Sequence, residues 1–105
     1  MNRADLTTFL ENFHCDQLDL VRGKGGEYAG DEDALGNFKV IGGMSGKTPL
    51  DVWFVYMAKH FLSIASYVES PRPDSELSEP IYGRLLDLAN YCALGAALIE
   101  EDKDG

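Results

Sequence analysis

Cysteine is scarce in this chain. Its 105 residues hold only Cys15 and Cys92, too few for a disulfide framework. Both fall in stretches with helical spacing, so they are expected to be free, buried thiols in a reducing cytoplasm. Basic residues are also few, 9 against 18 acidic ones, giving a formal net charge of -9. Lys24, Lys39, Lys47 and Lys59 stand apart from one another, so neutralisation of a phosphate backbone is disfavoured and direct nucleic-acid binding is not expected. Acidity of this degree suits divalent cations or a basic protein partner. No apolar run approaches the roughly 18 residues that a membrane span needs. Met1 to Asp5 is polar and no apolar core segment follows it, which reads as a chain without a secretory signal and with a cytoplasmic location. Internal repeats and low-complexity tracts are absent, and the length predicts one domain, 1–105.

What is present is helical periodicity. Leu6, Phe9, Leu10, Phe13, Leu20 and Val21 recur at helix spacing, with Asp5 as the expected N-cap and Gly23 just past the expected end. The glycines of 23–33 predict an ordered loop, and Asp33 to Ile41 a short helix burying Leu35, Phe38 and Ile41. Thr48-Pro49-Leu50-Asp51 is a helix start, because Thr can cap, Pro is tolerated at the first position and Asp51 can reach back to the cap. The helix it opens runs to about Val68 and is apolar nearly all round, so a central place is expected for it. A breaker segment over 69–78 follows. Ser78-Glu79-Pro80 then opens a last helix extending to about Glu101, with apolar stripes Ile81, Leu85, Leu88, Cys92, Ile99 and Leu86, Ala89, Ala93, Ala97. The fold class is all-α, a small bundle of three long helices plus a short one. Helices so widely apolar in so short a chain need a second copy to cover them, so a homo-oligomer is expected.

Gly42-Gly43-Met44-Ser45-Gly46-Lys47-Thr48 resembles a phosphate loop, but its first glycine falls one residue too close to Gly46-Lys47-Thr48 and no alternating strands accompany it. It predicts a connection capped by Thr48. Histidine and cysteine form no metal-ligand spacing, since His14 and Cys15 are neighbours while His60 and Cys92 stand alone. More informative is a polar stripe inside the apolar helix, Tyr56, Lys59, His60, Ser63 and Tyr67, all on one face. The last helix repeats the device with Arg84, Asp87 and Tyr91, and with Asn90 beside them. Face to face, the stripes would line a polar groove; the other reading is an internal pair, Asp87 with Lys59 or Arg84, that fixes helix register.

Lys24, Glu27-Tyr28, Asn37-Phe38, Lys59-His60 and Glu79-Pro80-Ile81 with Arg84, Asp87 and Asn90-Tyr91 resemble small phage-encoded proteins of the MazG-like, nucleotide modification associated all-helical group, over about residues 20 to 101. The resemblance implies a nucleotide or nucleotide-derived ligand and, for some members, magnesium-dependent nucleoside triphosphate pyrophosphohydrolase activity in the host cytoplasm. It makes Glu27 and Asp87 the magnesium ligands, gives the phosphates to Lys24, Lys59 and Arg84, and leaves Tyr28 or Tyr91 to stack on the base. Asn37, His60 and Asn90 complete the expected ligand set. Where the family has an acid three residues before Asp87, this chain has Arg84. Binding without cleavage therefore stands beside hydrolysis: either sequestration of a nucleotide signal, as in phage counter-defence, or occupation of a basic host protein by the acidic surface.

Overall fold

A computed structural model describes the backbone of residues 1–28 and 32–103, and the side chains of all of these except 24–28. The described residues form four α-helices, α1 (Arg3–Tyr28), α2 (Gly36–Ser45), α3 (Pro49–Glu69) and α4 (Ile81–Lys103), with a short 3-10 turn over Asp74–Glu76 and no strand. The all-α bundle of three long helices and a short one is what the chain forms.

α3 and α4 are antiparallel partners. Trp53 meets Tyr91 and Gly95, His60 meets Tyr91, and Ser63 meets Arg84, so residue numbers rise along one helix as they fall along the other. α2 packs across the end of this pair. Leu35, Phe38, Val52 and Leu98 form the buried core there, with Ile41, Trp53, Tyr56, Tyr91 and Leu94 packed on it. Phe38 is the most deeply buried large side chain, at 2% exposure. Lys39 ties the same corner together from outside, 2.8 Å from Asp33 and 2.6 Å from Glu101. Its hydrogen bond to Asp33 raises the lysine's pKa and lowers the carboxyl's.

α1 rests on a different side of α4. The edges of Phe9 and Phe13 meet the Tyr82 ring, and the Tyr82 hydroxyl donates to Asp16 at 2.5 Å, which raises the pKa of the phenol. Buried Asn90 donates from Nδ2 to the Gln17 carbonyl at 3.5 Å.

The helix ends show which sequence signals prevail. Asn2, rather than Asp5, accepts from the first turn of α1: the Asp5 N–H donates to Asn2 Oδ1 at 2.8 Å, and Asp5 answers through its carboxylate as the third residue of a capping box. α1 does not stop at Gly23. It continues through the glycines to Tyr28, so the expected loop over 23–33 is shorter than its composition suggests. α4 begins at Ile81, not at Ser78, and its first N–H donates to Asp74 Oδ1 at 3.0 Å, so a carboxylate from the preceding turn takes the role expected of the serine.

Gly42–Thr48 is no phosphate loop but a corner between helices. Gly46 takes φ 68° as the left-handed cap of α2, and the Lys47 N–H donates back to the Gly42 carbonyl at 2.9 Å. A Cβ on Gly42 would sit 2.6 Å from the Lys47 carbonyl oxygen, so the tight return of the chain requires glycine there. Thr48 then opens α3 with both halves of a capping box, and those hydrogen bonds hold the Asp51 carboxyl below its ordinary pKa. Thr48→Ala removes one half and is expected to lower stability by about 1 kcal/mol in chemical denaturation, with an unchanged m-value.

Two expectations about burial are overturned. Cys15 and Cys92 are free thiols, but both are exposed, because α1 covers one side of α4 only and leaves the outer faces of both helices open. α3 is not central. Only Val52 is buried along it, and Phe54, Val55, Phe61, Leu62 and Val68 are between 58% and 69% exposed. Helix four turns its other side inward as well: Leu85, Cys92 and Ile99 are exposed, while Leu86, Asn90, Gly95 and Leu98 are buried.

Candidate functional site

The polar stripes of α3 and α4 come together around one ring. Tyr91 lies with its centroid 4.5 Å from His60 at an interplanar angle of 36°, and 6.4 Å from Tyr56. Phe38 meets it edge to face at 6.3 Å. A T-shaped contact with Phe38 and a tilted imidazole at 4.5 Å restrict the turning of Tyr91, so its position is set by packing. The backbone beneath it is fixed as well, since the Trp53 indole donates Nε1–H to the Tyr91 carbonyl at 2.6 Å.

This indole bond is the part that residue-type reasoning missed. Its signal was present: a single Trp early in one apolar helix and Gly95 late in the next. The glycine removes the Cβ that would otherwise lie 2.3 Å from Trp53 Cζ2, which lets the two helices approach until the indole reaches the opposing backbone.

Further along the same seam, Arg84 crosses from α4 to α3 and donates Nη1–H to the Ser63 carbonyl at 3.3 Å. This bond uses one of five guanidinium N–H groups, so the charge is positioned with donors to spare. Asp87 lies between Arg84 and Tyr91 in sequence and is half-buried. Lys59 precedes His60 and is exposed. His60 and Arg84 therefore bring a protonatable and a cationic group to one helical seam, in a chain whose net charge is strongly negative.

The rest of the expected set is dispersed. Asn90 immediately precedes Tyr91 on α4 but turns toward α1, where it donates to the Gln17 carbonyl. Asn37 is half-buried on α2, next to Phe38. The side chains of Lys24, Glu27 and Tyr28 lie outside the described residues. Among the described residues no group of three or more His, Cys, Asp or Glu side chains could hold a metal ion.

Away from these rings, a concavity of about 420 Å³ opens at the N-terminal end of α3. Ser45, Lys47 and Asp51 line it on the polar side and Ile41, Val52, Phe54, Val55 and Tyr56 on the apolar side.

No protein-family model matches this chain, and neither the curated proteins nor the solved structures contain a significant match to it.

Proposed function

We propose that this protein binds a nucleotide or nucleotide-derived small molecule at the α3–α4 seam. The observation that supports this reading most directly is the His60–Tyr91 ring pair, fixed by Trp53 and Phe38, with Arg84 on the same seam and exposed Lys59 preceding His60 in α3. A base stacks on an aromatic face with little dependence on its identity, and each such contact contributes about 1–3 kcal/mol. Phosphates need cations with free N–H donors nearby, which Lys59 and Arg84 offer. The Arg84–Ser63 bond preorganises the guanidinium, so part of the ordering cost of binding is already met in the free protein.

Magnesium, implied by the resemblance to MazG-like proteins, would meet a single described carboxylate here, that of Asp87. One carboxylate falls short of the ligand set that metal-assisted hydrolysis uses to place an attacking water, so the proposal is of binding, with the metal carried by the phosphates of the ligand.

Titration of the protein with a panel of ribo- and deoxyribonucleoside triphosphates, with and without magnesium, tests this by calorimetry and by chromatography of the recovered ligand. At least one member should bind and be recovered unchanged. Lys59→Ala, which alters an exposed side chain, is expected to weaken that binding about tenfold, the equivalent of about 1.4 kcal/mol. Recovery of monophosphate and pyrophosphate would replace the binding reading with catalysis, and absence of heat with every nucleotide would end both.

A further inference from the structure

Along α3 the exposed apolar side chains repeat every seven residues. Phe54, Phe61 and Val68 form one line and Val55 and Leu62 a second, with Ala58 and Ala65 on the centre line between them. A seven-residue repeat keeps an apolar seam facing a neighbouring helix along its whole length, and alanine on the centre line lets the two backbones come close. α2 and α4 occupy other sides of α3, where Val52, Trp53, Tyr56 and His60 point. The seam therefore stands apart from the nucleotide site proposed above and does not depend on that reading.

We infer that this face pairs with the same face of a second copy, α3 against α3, antiparallel about a twofold axis between Phe61 and Leu62. Three observations select this occupant. The first is area. At about 150–200 Å² per large apolar residue, the five side chains and Leu50 leave roughly 600 Å² open on one subunit, so two copies cover about 1,200 Å², the threshold of a stable specific interface.

The second is charge. The face carries Asp51 at the start of α3 and Glu69 at its end. Antiparallel pairing opposes the helix dipoles and keeps like charges from facing each other directly, whereas parallel pairing aligns the dipoles and sets Asp51 against Asp51 and Glu69 against Glu69.

The third is shape. The 420 Å³ concavity beside Phe54 and Val55 includes Asp51 in its wall and lies where the twofold delivers the last turn of the partner's α3. Val68 of the second copy, which this twofold sets opposite Val55, enters this apolar recess. A self-complementary knob and recess at opposite ends of one helix are what an isologous interface requires.

Sedimentation velocity of the full chain reads the mass, with the dimer as the expected result. Leu62→Glu puts a carboxylate at the axis on a residue already 65% exposed in the single subunit. It should halve the mass while leaving the helical circular dichroism unchanged. Orientation is read by crosslinking in a Cys15→Ser/Cys92→Ser background: a mixture of Ala58→Cys and Ala65→Cys chains should form the mixed disulfide, and Ala58→Cys alone should form none. A wild-type monomer at millimolar concentration would overturn the inference and leave the face to a different protein. So would a dimer that survives Leu62→Glu, or an Ala58→Cys chain that crosslinks to itself.

Discussion

Phe38→Ala should cost about 3–5 kcal/mol, enough to leave the domain close to unfolded at room temperature. The ring is 2% exposed, the lowest of the large side chains, and it is shared by three elements. It comes from α2, packs in one cluster with Val52 of α3 and Leu98 of α4, and meets the Tyr91 edge. Truncation forfeits the transfer term of the ring and leaves a cavity that these neighbours fill poorly, because Trp53 is tethered to the Tyr91 carbonyl. Urea denaturation of the variant should show a much lower midpoint with a similar slope. A loss under about 1 kcal/mol would mean that α2 contributes little to the core.

Gly95→Ala should destabilise the protein by about 1–3 kcal/mol, although the same change in an open helix stabilises by up to about 1 kcal/mol. The reversal rests on one distance. A Cβ built on Gly95 lies 2.3 Å from Trp53 Cζ2 and 2.5 Å from Cε2, so either the indole swings away and loses its bond to the Tyr91 carbonyl or the two helices separate. Gly83, on the same helix, has nothing within 4 Å of such a Cβ and serves as the internal control. Gly83→Ala should raise the thermal midpoint while Gly95→Ala lowers it, and Trp53→Leu should shrink the penalty at Gly95 by making room. If both glycines respond alike, helix propensity rather than interhelical contact governs the site.

The elements of this fold were largely readable from residue order, because each long helix carries its own period, and for α3 the start signal as well. Thr48, Pro49 and Asp51 announced α3 to the residue. Leu35 and Phe38 were legible as core because a short amphipathic turn has only one face to bury. Which side of α4 faces inward was not legible. Two apolar stripes competed there, and the choice fell to Gly95 and Asn90, residues that hydropathy places outside any core. Asn90 enters because the Gln17 carbonyl accepts from it, and Gly95 because Trp53 needs its space. Propensity likewise gave way at Gly23, where α1 runs on to Tyr28 through glycines that would each cost about 1 kcal/mol against alanine.

Of the candidate site, helical spacing placed Tyr56, His60, Arg84 and Tyr91 on facing surfaces, and the folded chain brings them to one seam. Spacing alone could not show that these residues pack on one another. It also could not show that Asn90, a single step from Tyr91, serves a different neighbour.

That single step has a mechanical meaning. Asn90 and Tyr91 are consecutive on a rigid helix, one holding α1 and the other holding the rings of α3. α4 thus acts as an axle with two cranks: it cannot roll to re-seat Tyr91 without carrying Asn90 away from the Gln17 carbonyl. Events at the ring cluster and the docking of α1 share one rotational coordinate. A roll of α4 at the ring cluster would therefore strain the Asn90–Gln17 contact that α1 makes on its far side.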